Sequence, residues 1–150
     1  MTITSTKAWK HYMLICRSLE YNDIPYIKDD NTLCVRCRIC GRDGDLQFLY
    51  SVDPSKMLIN LYSPLNISFD TKNSADAALA VCLINNRLSN GCFYLDMDDR
   101  LLYFRMTTSF YETDLNGMLF EYMLSAAADT IEEYSPEIET LLCISGEGAA

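Results

Sequence analysis

The chain has 150 residues, 49% of them apolar, with 21 acidic against 12 basic side chains and a formal net charge of −9. That length builds one core without disulfide or metal staples, and a field of that sign repels phosphate backbones, which argues against nucleic acid as a partner. No run approaches the roughly 20 apolar residues of a membrane span, and the opening MTITSTKAWK lacks the apolar stretch of a secretory signal, so a soluble, cytoplasmic protein is expected.

A first helix is expected over residues 6–22, where Ala8, Tyr12, Ile15 and Leu19 recur at helical spacing. His11, the single histidine, falls among Lys7, Lys10 and Leu14 and reads as a solvated residue on the helix flank. Pro25 discourages helix at Ile24. Tyr26 and Ile27 make a short strand closed by Asp29, Asp30 and Asn31. Leu33, Val35, Cys37 and Ile39 then alternate with Cys34, Arg36, Arg38 and Cys40, the period-2 pattern of a strand with one apolar and one polar face. The turn Gly41 to Asp45 leads into Leu46, Phe48, Tyr50 and Val52, and the turn Asp53 to Lys56 into a fourth strand with Met57, Ile59 and Leu61. Residues 63–72 read as a loop with an extended piece at Leu65 to Ser68.

Ser74 fits an N-cap for a second helix running to about Ser89, with Ala77, Val81, Ile84 and Leu88 as its stripe and Asn90-Gly91 as its stop. A hairpin follows: Phe93, Leu95 and Met97, a turn at Asp98 and Asp99, then Leu102, Phe104, Met106 and Thr108. A third helix is expected over residues 114–133 with Leu115, Leu119, Tyr122 and Ala126 in register, a short last helix from Ser135-Pro136, and a frayed tail over residues 145–150. The order α-ββββ-α-ββ-αα, with short loops between strands, predicts an α+β fold in which helices pack on an antiparallel sheet.

Chemistry-bearing patterns are few. Cys34-x-x-Cys37-x-x-Cys40 has the spacing of a metal or redox site. On a strand, however, Cys37 faces away from the other two, and Cys34 and Cys40 lie roughly 20 Å apart at ~3.3 Å per residue, too far for ligands of one metal. His11 has no evident partner for nucleophilic catalysis. Asp96, Asp98 and Asp99 lack the glycine and glutamate of a calcium loop and read as hairpin-turn residues. Arg36 and Arg38 form a small basic patch on an outer strand face, and Arg105 falls on the outer face of another strand; such a patch would accept an acidic peptide, against the plainer reading of a solvated sheet face.

Residues 85–96, Asn85-Asn86-Arg87-Leu88-Ser89-Asn90-Gly91-Cys92-Phe93-Tyr94-Leu95-Asp96, followed by Leu101-Leu102-Tyr103-Phe104-Arg105, resemble the YbjN-like family, described as bacterial sensory-transduction regulators. Asp45 to Phe48, Val52-Asp53, Tyr134-x-Pro136 and Gly146 agree with its earlier and later parts. The resemblance implies one domain over residues 1–150, with an ordered core over about 6–145 and a fold like that of type III secretion chaperones. Those are small, acidic, often dimeric proteins that hold extended segments of other proteins without ATP or cofactor. It therefore implies a non-enzymatic protein-binding module with a protein or peptide partner, a homodimer in view, and no catalytic, cofactor or metal residues. Motif positions Asn85, Asn86, Gly91 and Phe93, with the arginines above, are the candidate site residues. The competing expectation is a thiol-based redox sensor or metal protein using Cys34, Cys37 and Cys40.

Overall fold

The computed structural model describes residues 3–148, with side chains from residue 5 to residue 142. Helix α1, Ile3–Tyr21, buries Ala8, Tyr12, Ile15, Cys16 and Leu19 along one side. It closes where the Ile24 N–H donates to the Leu19 carbonyl at 2.9 Å and Asp23 turns left-handed at φ 55°. Strands β1 (Tyr26–Asp29), β2 (Cys34–Gly41), β3 (Gly44–Asp53) and β4 (Leu58–Ser68) follow as an antiparallel meander. A short 3-10 turn over Thr71–Asn73 leads into helix α2, Ser74–Asn85. Strands β5 (Cys92–Asp96) and β6 (Leu101–Ser109) form the hairpin, and helix α3 runs from Gly117 to Gly148. The six strands make one sheet in the order β1-β2-β3-β4-β6-β5, so β4 pairs with β6 and the hairpin folds back to leave β5 at the edge.

The alternation expected of the strands is the packing observed, except that Met97, expected in line with Phe93 and Leu95, is exposed in the turn after β5. Val35, Cys37, Phe48, Tyr50, Val52, Ile59, Leu61, Phe93, Leu102, Phe104 and Met106 point to one side and form a single core with the helices. Inside it, the Tyr50 hydroxyl donates to the Phe120 carbonyl at 2.8 Å, joining β3 to α3. The α+β class and the order of strands and helices agree with the sequence reading.

Several expectations are corrected. The fourth strand does not stop before residue 63. β4 continues through Pro64 to Ser68, pairing Pro64 with Tyr103 and Ser68 with Leu101 across a bulge. The bulge leaves the alternation intact, so Leu65 and Ile67 stay buried. Helix α2 ends at Asn85 rather than near Ser89. Ser74 is its first residue rather than its cap, and its hydroxyl donates back to the Thr71 carbonyl. The two C-terminal helices are one: α3 carries Pro136 inside it. An interior proline costs a helix about 3 kcal/mol, but Ile131, Ile138 and Leu142 continue the same buried stripe across the break and outweigh it. That stripe starts from Phe120, Leu124 and Ala127, and Tyr122, expected on it, is exposed. Of the expected tail, residues 145–148 are helical, while Ala149 and Ala150 lie outside the described residues.

Candidate functional site

All helices lie on the core side, and the outward positions of the strands form a bare face. The register joins one outward row across all six strands: Ile27, Arg36, Leu49, Tyr62, Arg105 and Cys92, each beside the next. A second run of outward positions holds Arg38 beside Gln47 on β2 and β3, and Pro64 beside Tyr103, itself beside Tyr94, on β4, β6 and β5. Between them lies a trough of about 720 Å³ floored by Leu49 and Tyr62 and flanked by Ile27, Arg36, Arg38 and Tyr103.

The structure brings Arg105 onto the same face as the expected patch of Arg36 and Arg38 and adds their surroundings. Arg36 is exposed with no ion-pair partner among the described residues. Arg38 stands 3.9 Å from Asp45 at the far end of its strand pair. The Arg105 guanidinium sits 5.3 Å from the centroid of the Tyr94 ring, which stacks on Tyr103 with centroids 5.4 Å apart. Burial first, then the neighbouring Tyr62, pushes the Tyr94 phenol up to about 12, so it stays a neutral hydrogen-bond donor at physiological pH. Outward carboxylates occur at strand ends and are engaged there. Asp29 accepts from the Asn31 N–H, Asp53 from the N–H groups of Ser55 and Lys56, and Asp96 from those of Asp98 and Asp99. The centre of the face is left cationic and aromatic.

The motif positions serve the fold. Asn85 clamps the end of α2 to β5: its amide donates to the Phe93 carbonyl at 2.9 Å and its oxygen accepts the Phe93 N–H at 2.8 Å. Gly91 has φ +79°, and a Cβ there would stand 2.5 Å from Phe104 Cζ. Phe93 is buried edge-on to Phe104, ring centroids 5.1 Å apart. Asn86 is exposed. None of these four lines the trough.

The cysteine triplet is split as the strand requires. Cys37 is buried on the core side, and burial pushes its thiol up to about 11. Cys34 and Cys40 lie on the outer face at opposite ends of β2. His11 is a correction: it is wholly buried rather than solvated. Its Nδ1 donates to the Lys7 carbonyl at 2.8 Å, its Nε2 accepts the Leu115 N–H at 3.0 Å, and its ring stacks on Phe110 at 4.9 Å. It fastens the approach to α3 rather than working in a cleft.

Sequence reasoning missed the apolar half of the trough, Ile27, Leu49, Tyr62 and Tyr103. The signal was present, because each stands at an outward strand position where a solvated face would carry polar side chains.

Residues 12–140 match the YbjN family, described as "Putative bacterial sensory transduction regulator". No curated protein sequence matches the chain. Three solved structures share the fold. One is described as YbjN, "a putative transcription regulator from E. coli", at 12% identity over 92% of both chains and TM-score 0.59. A chain of the HopA1–SchA chaperone–effector complex is 15% identical over 93% of this chain and 99% of that one, TM-score 0.56. A chain of the ExsC–ExsE complex is 14% identical over 95% and 97%, TM-score 0.65. At such identities the likeness is one of fold.

Proposed function

Since the chain belongs to the YbjN family, we propose that it is a non-enzymatic, cytoplasmic protein-binding module of chaperone-like or regulatory type, holding a segment of another protein against the open face of its sheet. The observation that carries this reading is the one-sided sheet: six strands with helices on one face and, on the other, a trough floored by Leu49 and Tyr62. Half-buried apolar and aromatic side chains in a concavity are what a polypeptide partner covers. The shared fold with a chain from a chaperone–effector complex supports it. Among the described residues, no helix is long and apolar enough to cross a membrane.

Capture from cell extract by the wild type and by a Leu49→Asp/Tyr62→Asp variant tests the reading. A protein retained by the wild type and lost with the variant supports it, and capture indifferent to those substitutions overturns it. The reading includes pairing of two copies through α2, whose outward side presents Leu79, Cys82 and Leu83 with no charged residue between Asp76 and Arg87. The thiol-redox alternative on Cys34, Cys37 and Cys40 draws no support from β2, which buries Cys37 on the core side, where burial raises its thiol, and sets Cys34 and Cys40 at opposite ends of the outer face.

A further inference from the structure

The trough has a charge opposite to that of the molecule around it. The chain carries −9, yet the centre of the bare face holds Arg36, Arg38 and Arg105 while its carboxylates lie at strand ends, Asp29, Asp53 and Asp96 as turn acceptors and Asp45 beside Arg38. A solvated sheet face needs no such sorting, since interspersed charges of both signs serve solubility better. Resting on the protein-binding reading above, we propose that the occupant of this face is an extended acidic segment of a partner protein, with carboxylates on either side of an apolar residue.

The register sets the spacing. Arg36 and Arg105 stand in the same row, separated by the Leu49 and Tyr62 positions on β3 and β4. Three strand intervals of ~4.8 Å put their backbones roughly 14 Å apart. An extended chain advances ~6.8 Å for every two residues and turns those side chains to one side. A segment crossing the strands therefore sets residue i against Arg36, i+2 over Leu49 and Tyr62, and i+4 against Arg105. The recognised pattern is Asp or Glu, any residue, an apolar residue, any residue, Asp or Glu. Arg38, one outward position along β2 from Arg36 and 3.9 Å from Asp45, adds its charge alongside the first contact. The guanidinium groups offer forked donors to carboxylates, and Tyr62 and Tyr103 offer ring faces to the apolar side chain.

Single-stranded nucleic acid also combines negative charge with flat rings, but the field of a −9 chain opposes a polyanion that extends beyond the patch. A short acidic peptide keeps its charge within the patch.

The test uses the full-length protein and fluorescence anisotropy with three labelled twelve-residue probes sharing one apolar centre. The first has the Glu-x-Leu-x-Glu core, the second has both Glu replaced by Gln, and the third has both replaced by Lys. An oligouridylate of similar length is run beside them. The Glu peptide is expected to bind at least about fivefold tighter than the Gln peptide, and severalfold weaker at 300 mM than at 50 mM salt, as screened ion pairs require. Arg36→Gln/Arg105→Gln, whose exposed side chains leave the melting temperature unchanged, is expected to erase that preference. Equal binding of the Glu and Gln peptides, a preference that survives the double substitution, or tighter binding of oligouridylate each overturns the proposal. If only the Gln or Lys peptide binds, the acidic preference is wrong and the protein-binding reading stands. If no peptide binds while the extract capture above still depends on Leu49 and Tyr62, the acidic motif is again the part that fails. If that capture fails as well, both fall.

Discussion

At the residue scale the most consequential side chain for stability is His11. Its ring joins the Lys7 carbonyl, the Leu115 N–H and the Phe110 ring in a wholly buried place. His11→Ala leaves a buried donor unmet and opens a cavity, costs of about 1–3 kcal/mol and about 1–2 kcal/mol respectively. For a chain of this size the sum of about 2–5 kcal/mol corresponds to a fall in melting temperature of roughly 4–20 °C; a shift under about 2 °C would contradict the role given to it. The position was legible: His11 stands three residues after Ala8 and four before Ile15, on the buried stripe itself. Its polar type hid it, because sequence pattern does not reveal a partner as distant along the chain as Leu115. The thiols make a second prediction. With burial lifting the Cys37 thiol to about 11, and raising that of Cys16, both should resist a thiol reagent at pH 8 until the protein is unfolded, whereas exposed Cys40 and Cys82 react at once. Rapid modification of six or more of the seven thiols in the folded protein would contradict this. A third concerns acid. Hydrogen bonds from Lys56 and Ser55 hold the Asp53 carboxyl below its ordinary range. A lowered folded-state value means that its stabilisation is complete above the unfolded carboxylate pKa and is lost as pH falls through the lowered one. Melting curves from pH 7 down to pH 2 should therefore show Asp53→Asn losing less stability on acidification than the wild type, and identical slopes would remove the claim.

At the element scale, the junction between α2 and β5 is where local sequence and tertiary packing agree most closely. Asn85→Ala strands the Phe93 N–H and carbonyl, at about 1–3 kcal/mol. Gly91→Ala pushes a methyl into the Phe104 ring at a left-handed φ, at about 2 kcal/mol or more. Asn86→Ala, at an exposed position, should stay within about 0.5 kcal/mol. Urea unfolding of the three variants separates them, and equal losses at Asn85 and Asn86 would contradict the clamp. Most strands were legible because their turns are spelled locally. Asp53 and Asp96 each collect backbone N–H groups two and three residues on, which needs no knowledge of the rest of the chain. Pro64 and Pro136 misled for a common reason. Each breaks an element by local rule, and each is carried through by neighbours distant in sequence: Tyr103 beside Pro64, and the core that takes Ile131 and Ile138 on either side of Pro136. The register of α3 failed differently. Met118, Leu119, Phe120 and Tyr122 offer two apolar stripes side by side, and only the sheet beneath chooses between them.

At the scale of the whole molecule, the sorting of arginines to the centre of one face follows from strand order, which the sequence does not print. Arg36 and Arg105 share a row only because β3 and β4 lie between β2 and β6. The same scale holds the prediction on assembly. Pairing through α2 predicts a particle of twice 17.1 kDa by light scattering, reduced to a monomer by Leu79→Glu/Leu83→Glu, and a wild-type monomer at high concentration removes it. Strand order also has a consequence in time. The meander from β1 to β4 closes over short turns, but β4 finds its other neighbour only after the chain from Ser68 to Leu101 has been made. Such long-range closure is slow, and synthesis proceeds from the N-terminus. During translation, then, β4 waits with an unpaired backbone edge and with Ile59, Leu61, Leu65 and Ile67 not yet covered from the β6 side, the kind of surface that seeds aggregation. A chain halted after Asp98 should precipitate or recruit a holdase where the complete one does not, and a protein proposed to shelter segments of others would itself need shelter at that stage of its birth.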